Sequence, residues 1–133
     1  MNTRTLMTAS SLFLGGAGFF ASFGPQELLA LLNPATGLAP VMVQLMGALY
    51  FSFALVNWTA KDNIIGGIYS RPISLGNTVH FVMGALALAK FQGSGLGNRI
   101  TLVLLAVYAV FAVLFGWLVF GRGAACKVAK VDG

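Results

Sequence analysis

His80 is the only histidine in the chain and Cys126 the only cysteine. A single cysteine forms no intramolecular disulfide, and the sequence has no CxxC pair for redox or zinc chemistry. A single histidine excludes bis-histidine haem ligation within one chain, and a two-histidine metal site could form only between chains. Glu27 is the only glutamate, and neither aspartate, Asp62 or Asp132, falls in an apolar stretch. General acid–base catalysis by a carboxylate pair inside the protein therefore has no residues to use. No cofactor and no metal site are expected, and the balance points away from an enzyme. His80 itself lies in Pro72–Ala89, which carries no charge. An ionisable side chain at membrane depth is a functional-site candidate. The plain alternative is a neutral imidazole hydrogen-bonded across a helix seam to Asn57, Ser52 or a backbone carbonyl. The residues that could share such a seam with His80 are Asn57, Asn77, Tyr50 and Ser52.

Two further polar groupings flank this candidate seam. The densest polar segment runs from Asn57 to Pro72 and supplies Lys61 and Arg71. These two could hold an anionic head group or phosphate at an inner rim. They could equally be solvated residues that only fix the topology. The Gly-Gly of this segment lacks the GxxxxGK[ST] pattern of a phosphate loop. At the opposite end, Glu27 begins a short apolar run, where a carboxylate complements the helix dipole. Glu27 and Gln44 could together form an outer mouth, and Gln44, Ala48 and Ser52 make a second polar stripe.

The elements that must position these residues are membrane spans. Of 133 residues, 58% are hydrophobic and only 8% charged, against roughly 25% charged in an average soluble domain. Lipid is the expected solvent, and the chain reads as a single integral membrane domain, 1–133, with no second domain. A helix needs about 20 apolar residues to cross the hydrocarbon. Uncharged stretches place four spans near 5–23, 40–58, 75–91 and 100–121. Pro25 and Pro34 bracket the run QELLALLN, which reads as a short interfacial or re-entrant helix over 26–33. The expected fold is all-α: a four-helix transmembrane bundle with a short interfacial helix in the first loop. The first span has the Arg4 and apolar core of a signal peptide, but only a poor cleavage site at Ser22 and Gly24, so a retained span is expected.

Six of the eight basic residues fall on one side if both termini are cytoplasmic, and the positive-inside rule then sets that orientation. Trp58, Tyr69 and Trp117 suit the same interface. The net charge of +5 is dispersed along the chain. It matches anionic lipid head groups, and nucleic acid is not an expected partner.

Small and polar residues recur at helical spacing. The first span carries Thr8, Ser11, Gly15, Gly18 and Ser22; the second Gly47, Tyr50, Ala54 and Asn57; the third Asn77, His80, Gly84 and Ala87. Small residues let membrane helices approach closely. An antiparallel register pairs Asn57 with Asn77, Ala54 with His80, Tyr50 with Gly84 and Gly47 with Ala87, turning near Gly66 and Gly67. The fourth span is rich in Val, Leu and Phe, with Ala109, Ala112 and Gly116 as its small face.

No span holds the embedded glutamate on which small multidrug antiporters rely, or the internal Arg and Glu of membrane glutathione transferases. GGAGFF from Gly15 lacks the basic residue that follows the first span of the small fluoride channels. The segments MGALYFSFALVNW (Met46–Trp58) and RPISLGNTVHFVMGALAL (Arg71–Leu88) carry a resemblance to small four-span bacterial proteins of the broad DoxX-like superfamily. Length, a glycine-rich first span and a proline-flanked short helix add to it. The resemblance implies a multi-pass protein of the bacterial inner membrane. Superfamily members are implicated as subunits of membrane oxidoreductases or as chaperone-like partners, and no catalytic residue of theirs transfers to a position here. The expected function is a non-enzymatic accessory subunit or scaffold that binds another membrane protein. The alternatives are a homo-oligomeric small-solute channel or carrier, and a lipid- or quinone-handling enzyme.

Overall fold

The computed structural model describes residues 3–32, 40–62 and 70–121. Tyr69, Asn63, the Gly66–Gly67 turn and the tail with Cys126 lie outside the described residues, as does residue 33 at the end of the expected short helix. The chain forms α1 (Thr3–Phe23), α2 (Pro25–Leu32), α3 (Pro40–Ala60), α4 (Ser70–Gly93) and α5 (Arg99–Gly116). A π-helical turn, Trp117–Gly121, continues α5. The fold is all-helical among the described residues. The four long helices are long and apolar enough to span a membrane, and the short helix follows the first of them.

Local chemistry explains the boundaries. Pro25 and Pro40 each open a helix, where the missing N–H is one of the unpaired donors in any case. The same tolerance lets α4 begin at Ser70 and carry Pro72 in its first turn, so it starts well before the expected residue 75. Its C-terminus is turned by Gly95, whose φ of 78° is open to glycine at no steric cost. Asn98 then caps α5: its side chain accepts from the Thr101 N–H, and the Thr101 hydroxyl accepts from the Asn98 N–H. The Asn98 amide also donates to the Leu31 and Leu32 carbonyls at 2.9 and 2.8 Å. These are C-terminal carbonyls of α2 with no partner in their own helix. One side chain thus ties the short helix to the α4–α5 turn. At the opposite end, Arg4 pairs with Asp62 at 3.0 Å, both well exposed. Such a pair adds at most about 1 kcal/mol.

The bundle is two antiparallel hairpins side by side, α1 against α3 and α4 against α5, while α3 and α4 touch at few positions. In the first hairpin the backbones meet. A Cβ on Gly18 would lie 2.7 Å from the Phe51 nitrogen and 2.8 Å from the Gly47 oxygen. The stripe of small residues on the first span therefore faces α3, as its spacing predicts. In the second hairpin large rings fill the seam. Phe81 stacks on Phe111 at 4.8 Å and on Phe115 at 5.7 Å, and Tyr108 occupies the space that a Cβ on Gly84 would need.

Two expectations are corrected here. The expected register between α3 and α4 holds only at Asn57–Asn77. Ala54 turns to α1, where its carbonyl accepts from Ser11 Oγ at 2.7 Å. Gly84 faces Tyr108 rather than Tyr50, and Gly47 faces Ala21 and Ser22 rather than Ala87. The physical reason is that α3 has one small-residue face and α1 already occupies it, so α4 must meet a different face. Of the small face expected for the fourth span, only Ala112 packs against the core. Ala109 is exposed and a Cβ on Gly116 would meet nothing, whereas Tyr108 and Phe115 are buried. Aromatic rings bury more apolar area per residue and win the inward face.

Candidate functional site

The centre of the site is an amide pair. Asn57 Nδ2 donates to Asn77 Oδ1, and Asn77 Nδ2 donates to Asn57 Oδ1, each at 2.7 Å. Asn57 Nδ2 also donates to Ser10 Oγ at 3.1 Å, and Asn77 Nδ2 to the Ile73 carbonyl at 2.9 Å. Ser10 Oγ in turn donates to the Met7 carbonyl at 3.0 Å. Both asparagines and Ser10 are 0% exposed. Three helices, α1, α3 and α4, are thus joined by one chain of hydrogen bonds. In an apolar interior each such group would cost free energy if left unpaired, and here none is.

His80 lies one turn deeper on α4. Its ring meets Tyr50 edge-on at 5.4 Å, stacks on Phe53 at 5.3 Å, and lies 5.1 Å from Phe81 and 5.7 Å from Tyr108. Its Nε2 is buried and makes no hydrogen bond; no other buried side-chain nitrogen or oxygen among the described residues is in this state. The expected plain role, an imidazole satisfied by Asn57, Ser52 or a carbonyl, does not describe this nitrogen. Asn57 is committed to Asn77 and Ser10. Ser52 is exposed, with its hydroxyl folded back on the Ala48 carbonyl at 2.9 Å.

The structure therefore brings together Asn57, Asn77, His80 and Tyr50, and leaves Ser52 out. Gln44, Ala48 and Ser52 are all exposed along the outside of α3; Gln44 donates to the Ser22 carbonyl at 3.4 Å. Glu27 sits in the first turn of α2, its carboxylate near Gly24. Lys61 Nζ lies 3.2 Å over the Trp58 ring, a cation–π contact that engages the charge locally. Arg71 is exposed at the start of α4. Lys61 and Arg71 thus share the end of the bundle that the Arg4–Asp62 pair also marks, and Glu27 and Gln44 lie toward the opposite end.

Three contributors were not singled out from sequence: Ser10, Phe53 and Tyr108. Ser10 is adjacent to the stripe residue Ser11, and its spacing from Met7 and Leu14 was a usable signal. Tyr108, Phe111 and Phe115 repeat at helical spacing, but a search for small residues passes over large ones. Among the described residues, no group of three His, Cys, Asp or Glu side chains could hold a metal ion. Comparison with protein-family models, curated proteins and solved structures finds no match for this chain.

Proposed function

We propose that this chain is a membrane-embedded accessory subunit or scaffold, and that it binds a partner membrane protein through the outer faces of its bundle. The observation that carries this reading is how the buried polar groups are used. Asn57, Asn77 and Ser10 are consumed in holding α1, α3 and α4 together, and Leu14, Phe81 and Phe115 are fully buried in the interior. What faces outward is apolar helix surface, including Leu12, Phe19, Phe20 and Val113. The resemblance to DoxX-like proteins, some of which are oxidoreductase subunits, supports the same role. The location that goes with it is the bacterial inner membrane, with both termini cytoplasmic.

A homo-oligomeric channel is favoured by one observation. The Gln44–Ala48–Ser52 stripe is exposed on α3, where only assembly of several copies could turn it toward water. Native mass spectrometry from mild detergent separates the two. The accessory role predicts a second membrane protein at fixed stoichiometry. A closed homo-oligomer that conducts in liposomes, and loses conduction on Gln44→Leu, would replace it with the channel reading.

A further inference from the structure

The two hairpins share more than their direction. A shift of 67 residues carries α1 onto α4: Met7 falls on Ser74, Ser10 on Asn77, Ser11 on Thr78 and Leu14 on Phe81. All of these are buried. A shift of 58 residues carries α3 onto α5: Val43 falls on Thr101, Asn57 on Phe115 and Ala60 on Leu118, again all buried. The same shift superposes Tyr50, Phe53 and Ala54 on Tyr108, Phe111 and Ala112. The second shift is shorter because the α4–α5 turn contains no counterpart of α2.

Ring contacts repeat with the burial pattern. Phe13 of α1 meets Tyr108 edge-on at 5.9 Å and 77°, and Phe111 at 5.7 Å and 32°. The equivalent of Phe13 is His80. It meets Tyr50 edge-on at 5.4 Å and 81°, and Phe53 at 5.3 Å and 23°. Each hairpin seats a ring of its first helix on the Tyr-x-x-Phe pair of the other hairpin's second helix. This is the pattern expected of a parallel repeat whose halves are related by a pseudo-two-fold axis along the bundle, and transporters built from repeats place their binding sites at the repeat interface near the midplane.

Three of the departures from this symmetry gather at one seam. Asn57 stands for Phe115, Asn77 for Ser10 and His80 for Phe13, and all three lie between α3 and α4. The two asparagines satisfy each other. His80 Nε2 satisfies nothing, in a place where the other half shows that an apolar ring fits. His80 is roughly ten residues into α4, about 15 Å along a helix that must cross a core about 30 Å thick.

We propose that the chain is a duplicated hairpin whose halves have diverged where His80 stands in place of the Phe13 ring, and that His80 there binds the neutral oxygen of a lipid-soluble, ring-bearing molecule reaching it between α3 and α4. The physical grounds are threefold. α3 and α4 touch at few positions, and the His80 residue is partly exposed although Nε2 is covered. To meet a ligand there the imidazole would have to turn about its terminal torsion, which is a soft one. The flanking Tyr50 and Phe53 rings offer edge and face to a flat ligand. This goes beyond the scaffold role, which needs no small ligand.

The test uses the full chain in detergent micelles with nitrogen-15 histidine. Because His80 is the only histidine, its two ring nitrogens give the only imidazole signals. Three probes are titrated: para-octylphenol, which donates a hydrogen bond, octanophenone, which accepts one, and octylbenzene, which does neither. One oxygen-bearing probe should bind roughly two- to tenfold more tightly than octylbenzene, the worth of one hydrogen bond, and should move the Nε2 signal saturably. Which of the two does so tells a hydroxyl ligand from a carbonyl one. His80→Phe restores the ring of the other half. It should abolish that preference and melt no lower than the unsubstituted protein. Equal binding of all three probes, or a His80→Phe protein that melts several degrees lower, would overturn the proposal.

Discussion

Asn57 and Asn77 show how much a single buried amide can decide. Asn57→Leu leaves the Asn77 amide without the partner at 2.7 Å, and an orphaned buried polar group costs about 1–3 kcal/mol. Removing both amides together, Asn57→Leu with Asn77→Leu, should recover part of that loss, since no buried partner is then left unpaired. Unfolding in mixed dodecyl sulfate micelles measures both. A double variant as unstable as the sum of two independent losses would mean that the amides do not interact. This pair was legible in the sequence, because two polar residues near the ends of consecutive spans have few other partners. The state of His80 was not. Periodicity placed it on an inward face, but only the positions of Ser52 and Asn57 reveal that neither reaches it.

At the scale of elements, the close approach of α1 and α3 depends on glycine only where backbones meet. Gly18→Ala sets a methyl group against the Phe51 and Gly47 backbones, which have no side-chain freedom to yield, and overpacking of this kind costs about 1–3 kcal/mol. Gly16→Ala, two residues away, meets nothing within 4 Å and should leave stability unchanged or raised by up to about 1 kcal/mol through helix propensity. The same unfolding assay separates them, and equal effects would remove Gly18 from the interface. The stripe on the first span was readable because small residues mark contact directly. The partner of each stripe was not readable. Any two antiparallel helices can be registered by a constant sum, so the α3–α4 register looked complete although α1 holds the small face of α3. The aromatic seam of α5 was missed for the opposite reason: its inward residues are large, like those that face lipid.

For the whole molecule, antiparallel packing of successive spans puts the start of α1, the end of α3 and the start of α4 on one side. The proposed orientation, which follows the charge bias, makes that side cytoplasmic. In a chain lacking Cys126, a cysteine at Asp62 should react with an impermeant maleimide only after the cytoplasm is opened, and one at Ser94 should react in intact cells. The reverse labelling would invert the topology. The shared hydrogen bonds of Ser10, Asn57 and Asn77 also have a consequence in time. A ribosome delivers Asn57 to the bilayer before Asn77 exists. Of the side chains bonded to Asn57 in the finished fold, only Ser10, 3.1 Å away there, has been made by then. Ser10 would then be caretaker for an unfinished bond, and Ser10→Ala is expected to lower the yield of newly made chains, read by pulse-chase, more than the stability of assembled ones.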